Sequence, residues 1–356
     1  LDVGTYTISV TDQNNCISNP AQITQELTQP LAINFTALEQ DISCNGAEDG
    51  TIDFTITGGT IPYTYLWAGP NGFSAITQDI SALAPGAYSI TVTDLNGCTF
   101  AENYTITEPD VLGVLGDLSD YNGFGVSGNG LSDGSIDITV TGGTTEYTYS
   151  WTSSDGIIPS GQETQEDLTG LNAGTYTVQI TDTNGCTIND TWIITEPQEL
   201  LISEETTSHV DVLCFGENTG VIKVVVDQES VAPYEYTITD SSGVEVERVT
   251  EPNAVSYVFN ELLADTYTVT VTDANGNSKS LNNIIITQPE SLLRISDATI
   301  SNFNGFGISC NGAADGSIAI TVSGGAAAYT YAWTSPNGFS ATSQDISALA
   351  PGAYSI

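Results

Sequence analysis

The chain has almost no positive charge. Its 356 residues include 4 lysines and arginines against 44 aspartates and glutamates, with a single histidine, His209. All four basic residues, Lys223, Arg248, Lys279 and Arg294, lie beyond position 200. Neutralising phosphates takes clustered Lys and Arg, so direct nucleic-acid binding is excluded, and anionic membrane surfaces are disfavoured for the same reason. Trypsin-like proteases find no cationic site in the first 200 residues. No apolar run approaches the ~20 residues of a membrane-spanning helix, and no signal peptide is visible. No stretch of a dozen residues carries helical spacing, so helix is expected to be minimal. Catalytic constellations are missing too. His209 has no partner set for nucleophilic or general-base chemistry and reads as a surface or strand-edge residue. Zinc would have to draw its ligands from distant positions. The glycine runs from Asn122 and Asn304 lack the lysine and helix of a phosphate loop. No catalytic residue, bound cofactor or enzymatic activity is expected.

What is present suits a β protein. The chain is 40% hydrophobic and rich in Tyr, Val, Ile and Thr, enough to build a core and biased towards strands. Its charge then reads as a soluble, self-repelling surface. Self-comparison reveals repetition: Trp67 to Ile90 (WAGPNGFSAITQDISALAPGAYSI) returns 266 positions later as Trp333 to Ile356 (WTSPNGFSATSQDISALAPGAYSI). Two diverged copies lie between them, giving a unit of roughly 89 residues. The expected organisation is a C-terminal piece of repeat 1 (1–29), repeat 2 (30–108), repeat 3 (109–196), repeat 4 (197–288) and the N-terminal part of repeat 5 (289–356). Incomplete copies at both ends suggest a segment of a longer array. Repeat 5 is a mosaic, since its front from Phe303 (FNGFGISCNGAADGSI) matches repeat 3 from Tyr121 (YNGFGVSGNGLSDGSI).

Within a repeat the apolar period is two, as in Thr51–Thr57, Tyr63–Trp67 and Tyr88–Thr93, which marks strands with one buried face. Gly58-Gly59, Gly142-Gly143 and Pro85-Gly86 punctuate them. Thr-Asp-x-Asn-Gly recurs at Asp94–Gly97, Asp182–Gly185 and Asp273–Gly276, where Asp opening and Gly closing suit a type I turn followed by a bulge. Six or seven short strands in under 90 residues predict tandem immunoglobulin-like sandwiches, an all-β array forming an extended rod. Trp67, Trp151 and Trp333 sit where a core tryptophan belongs rather than on a sugar-stacking surface. The Leu-x-x-Gly-x-Tyr runs, Leu83 to Tyr88 and Leu171 to Tyr176, sit where a tyrosine corner falls. Repeat 4 departs, with Ile238 in place of the Trp and no Gly-Gly pair, but keeps its hydrophobic spacing.

The combined run SCNGxxDGxIxxxxxGGxxxYxYxW…LxxGxYxxxVTDxNGC…TITEP resembles the SprB repeat, in successive copies over nearly the whole chain. That family occurs in very large surface adhesins of gliding Bacteroidota exported by the type IX secretion system. The resemblance implies an extracellular, cell-surface filament carried by the gliding and secretion machinery of the outer membrane and gripping a surface polysaccharide or other substratum. Residues alone point only to an extracellular β-repeat protein. The alternative is a carbohydrate-binding array of a secreted polysaccharide-acting protein, which predicts exposed aromatic rows on one sandwich face.

Six cysteines occupy two patterned positions, Ser-Cys-Asn-Gly and Asn-Gly-Cys, as suits an oxidising compartment. Repeat 2 has both, Cys44 and Cys98; repeat 3 has Gly128 and Cys186; repeat 4 has Cys214 and Asn277. Pairing within a repeat orphans Cys186 and Cys214. Pairing the first position of one repeat with the second of the next joins Cys44 to Cys186 and explains the joint loss at Gly128 and Asn277. Cys16, Cys98, Cys214 and Cys310 then find partners outside this fragment. Within a repeat the two positions should be about 30–40 Å apart, given strands of ~10 residues, whereas a disulfide needs Cα atoms within about 7 Å. Intra-repeat pairing and free thiols remain the alternatives. A bridge beside each short proline linker (Glu108-Pro109, Glu196-Pro197, Gln288-Pro289) would stiffen the junction and bear load. Calcium is the one cofactor considered, since Glu48, Asp49 and the Asp94-type turns place oxygen ligands near domain ends; the same residues are also what turns require.

Overall fold

The computed structural model describes residues 1–19 and 22–356; Pro20 and Ala21, inside the expected first piece, lie outside the described residues. Strands form where the sequence alternates. In Gly50–Thr57, Ile52 and Phe54 are buried while Asp53 and Thr55 are exposed, the consequence of side chains pointing to opposite faces in turn. Among the described residues the only helices are single 3₁₀ turns at Pro70–Gly72 and Thr206–Ser208.

The plainest sandwich pairs a three-stranded sheet, ordered Asn34–Gln40, Gly50–Thr57, Ile80–Leu83, with a four-stranded sheet, ordered Ser74–Ala75, Thr64–Ala68, Gly86–Thr93, Thr99–Ile106. Ile52, Phe54 and Leu83 from the first sheet meet Trp67, Tyr88, Ile90 and Ile106 from the second in one core. That strand order is the immunoglobulin-like arrangement of two antiparallel sheets. It recurs with Leu201–Glu204, Gly220–Gln228 and Ser256–Leu262 on one side, and Glu245–Glu251, Tyr234–Thr239, Asp265–Thr272 and Ser278–Ile286 on the other. Between these two sandwiches in sequence lie a three-stranded sheet ordered Gly113–Leu118, Gly134–Thr141, Leu168–Leu171 and another ordered Thr148–Ser153, Gly174–Thr181, Thr187–Ile194. Arg294–Ile300, Gly316–Ser323 and Ile346–Leu349 form a further three-stranded sheet near the C-terminus, and Gly4–Ile8 pairs with Ile23–Leu27 near the N-terminus. By compactness the chain divides into one unit of residues 1–118, 135–169 and 174–193, and another of 119–134, 170–173 and 194–356.

The sequence motifs acquire specific jobs. Trp67, Trp151 and Trp333 are buried, and their indole N–H groups donate to the carbonyls of Thr77, Gln165 and Ser343 at 3.1, 2.9 and 3.0 Å. Each of these three desolvated indole donors is thereby paired. The hydroxyls of Tyr88, Tyr267 and Tyr354 each reach four residues back, to Ala84, Leu263 and Ala350, at 2.9 Å, pinning the turn that precedes each tyrosine. At the Gly-Gly turn, Gly58 has φ +76, and a Cβ there would lie 2.0 Å from the Ala32 carbonyl oxygen. Only glycine allows this approach, which lets Gly59 N–H donate to Leu31 O at 2.8 Å. Where the tryptophan is replaced, Ile238 pairs with Val269 as Trp67 pairs with Ile90. The lost aromatic volume is supplied by fully buried Tyr236 and Phe259.

Candidate functional site: the loop–hairpin junction

Each junction is built from two rigid parts. The first is the Thr-Asp-x-Asn-Gly hairpin. Asp94 is only 5% exposed. Its Oδ1 accepts the N–H groups of Asn96 and Cys98 at 3.0 and 2.8 Å, and its Oδ2 accepts Thr60 N–H at 3.0 Å. Burial alone would raise its pKa, but the N–H donors of Cys98, Thr60 and Asn96 outweigh it and hold the carboxyl below its ordinary value. Asp182 makes the same contacts to Asn184, Cys186 and Thr144. Asp273 holds Asn275 and Asn277 likewise, while the Ser230 hydroxyl, 2.7 Å from its Oδ2, stands in for the missing backbone donor. These aspartates read as turn formers in the sequence; the structure also buries them as cross-links between two turns.

The second part is the Ser-Cys-Asn-Gly-x-x-Asp-Gly loop. Asp49 closes it by accepting Ser43 N–H at 2.9 Å and the Ser43 hydroxyl at 2.5 Å; that hydroxyl first, then the N–H, lowers the Asp49 pKa. Asn45 Nδ2 donates to Pro109 O at 3.0 Å, and Gly46 N–H donates to the Glu108 carboxylate at 2.8 Å. The loop therefore grips the linker that leaves its own sandwich. Asn129 and Gly130 hold Pro197 and Glu196 in the same way, at 3.2 and 2.6 Å. In the fourth copy Thr219 replaces the closing Asp and Gln288 the gripping Glu, at 3.1 and 2.8 Å.

Loop and hairpin then meet across the linker. Cys44 and Cys186 are disulfide-bonded, with Cα atoms 5.7 Å apart and a sequence separation of 142. Beside the bond, Asn184 Nδ2 donates to Ser43 O at 3.0 Å. At the next junction Gly128 faces Asn277, whose Nδ2 donates to Ser127 O at 2.7 Å. Asn275 Nδ2 donates to Ser127 O at 2.9 Å and Tyr121 O at 3.2 Å, while Asn122 Nδ2 donates to Asn275 Oδ1 at 2.6 Å. A covalent bond is replaced by a set of amide contacts. Cys16, Cys98, Cys214 and Cys310 are free and exposed. The clasping asparagines were not identified from sequence, where Asn-Gly reads only as turn chemistry.

His209 lies between two carboxylates, with Nδ1 2.6 Å from Glu204 Oε1 and Nε2 3.6 Å from Asp211 Oδ1. The Glu204 contact, partly offset by desolvation, raises its pKa. Among the described residues no three His, Cys, Asp or Glu side chains gather to hold a metal; the Asp49 and Asp94 carboxylates are taken up by the Ser43 and hairpin donors described above.

A family model described as the SprB repeat matches residues 39–72, 126–156, 206–243 and 308–338, and each segment takes in a closing residue of the loop: Asp49, Thr219, or Asp133 and Asp315, which accept the N–H groups of Ser127 and Ser309 at 3.0 and 3.1 Å. No curated protein sequence matches the chain. Similar solved structures include the three N-terminal domains of the highly immunogenic outer capsid protein of bacteriophage RB49, at 14% identity over 71% of this chain and 95% of that one, with TM-score 0.41. Sidekick-1 immunoglobulin domains 1–5 match at 10% identity over 80% and 66%, with TM-score 0.36. A tetra-tandem repeat from the extending region of a large adhesion protein matches at 15% identity over 90% and 89%, with TM-score 0.26.

Proposed function

We propose that this chain, which carries SprB repeats in four segments, is a stalk segment of a secreted cell-surface adhesin filament of the gliding type, giving reach, stiffness and load transmission without catalysis. The carrying observation is the Cys44–Cys186 bond, which ties a loop of one sandwich to a hairpin of the next in the expected succession of repeats, beside the gripped Glu108-Pro109 linker. A single-domain binder has no use for such a bond; a tension-bearing series does. On this reading the neighbours along the chain are further repeats, export is by type IX secretion, the anchor is the outer-membrane gliding machinery, and the surface gripped is a polysaccharide or other substratum. No cofactor is assigned, and Trp67, Trp151 and Trp333, buried in the sandwiches, offer no row for sugar stacking. Antibody raised against the chain should label filaments on intact cells of the source organism and slow their attachment and movement. Labelling confined to lysed cells, or surface labelling with adhesion and movement unchanged, would overturn the proposal.

A further inference from the structure

The disulfide has a mechanical consequence that follows from covalent topology. A pull applied to the two ends of the chain passes from Cys44 to Cys186 through sulfur, so the residues between them belong to a closed loop and bear none of the end-to-end tension. That loop contains every strand from Gly50–Thr57 to Gly174–Thr181. The sandwich from Leu201 to Ile286 lies outside it. The positions that would extend the same protection there are Gly128 and Asn277, held by hydrogen bonds alone. A Cβ on Gly128 would stand 2.8 Å from Asn277 Cγ, so the two residues occupy a disulfide site without the sulfurs.

We infer that this segment is graded in extensibility: residues 45–185 are a sheltered element, and the Leu201–Ile286 sandwich, joined by a releasable amide clasp, is the complete sandwich that yields under load. Amide hydrogen bonds break and re-form with the chain intact, whereas the disulfide opens only by thiol exchange or reduction. The inference rests on the bond and the clasp, and holds whether or not the protein is an adhesin.

The test is single-molecule stretching of the full chain, tethered at its ends, with its four free cysteines alkylated. The oxidised chain should show an unfolding event of about 300 Å from the Leu201–Ile286 sandwich, reversible on relaxation. Adding reductant, or substituting Cys44→Ser, should release a further length of about 500 Å, from the 142-residue separation at ~3.6 Å per residue. Equal total lengths in oxidised and reduced chains would overturn the inference, as would an oxidised chain in which the Leu201–Ile286 event is missing. Failure of the antibody experiment above, with these lengths observed, would remove the adhesin reading alone.

Discussion

The Glu108 carboxylate accepts the backbone N–H of Gly46 at 2.8 Å, across 62 residues of sequence. It makes the Thr-Glu-Pro linker part of the sandwich it leaves, and the Glu196–Gly130 contact repeats the device. Glu108→Ala should speed hydrogen exchange at Gly46 several-fold, reflecting about 1 kcal/mol for a solvent-exposed charged hydrogen bond. Its core amides should exchange as before. Unchanged exchange at Gly46 would show that the linker is held by other means.

Trp67 is fully buried and packs edge-on against Phe54, with ring centroids 6.0 Å apart. Trp67→Ala should destabilise its sandwich by about 3–5 kcal/mol, the range for truncating a buried aromatic. Denaturant unfolding should show one transition shifted while that of the Leu201–Ile286 sandwich stays in place.

Gly58→Ala tests the close approach at the Gly-Gly turn. Positive φ and overlap with the Ala32 carbonyl should together cost more than about 1 kcal/mol. Alanine at Gly97, which also has positive φ but no atom within 4 Å, should cost less. Equal losses at the two sites in thermal melts would refute the steric account.

The double substitution Gly128→Cys with Asn277→Cys should form a second disulfide in air, detectable as a mass loss of two hydrogens. Closing so long a loop should stabilise by about 4–5 kcal/mol on the chain-entropy model. A pair of persistent free thiols would mean that the clasp does not share the geometry of the Cys44–Cys186 site.

Acid should weaken the junctions. The folded pKa values of Asp49 and Asp94 lie below the ordinary 3.8, so their stabilisation is complete above that value and is lost as pH falls through the folded values. Asp49→Asn should flatten the acid limb of a melting-temperature profile. His209 has the opposite sign. Its raised pKa means that its contribution is complete below the ordinary 6.5 and disappears as pH rises through the folded value. Proton NMR titration of the single imidazole should show a midpoint above 6.5; one at or below it would contradict the Glu204 pairing.

Much of this architecture was legible from residue spacing. Period-two runs marked the strands, and Leu-x-x-Gly-x-Tyr marked the turn that Tyr88 pins. The contacts that make the junction were hidden because they join positions far apart. Asn184 reaches Ser43 across 141 residues and Asn275 reaches Ser127 across 148, and no local pattern distinguishes such an asparagine from one that merely shapes a turn. The substitutions in the fourth sandwich were visible but not interpretable. Ser230, Thr219 and Gln288 look like drift until each is found supplying a hydrogen bond made by a different group elsewhere.

The bond between Cys44 and Cys186 also bears on damage. A protease that cuts once anywhere from residue 45 to residue 185 opens a ring rather than severing a thread, and both pieces stay attached through sulfur. A single nick in that span leaves the molecule whole, whereas a single nick between Cys186 and the C-terminus divides it in two.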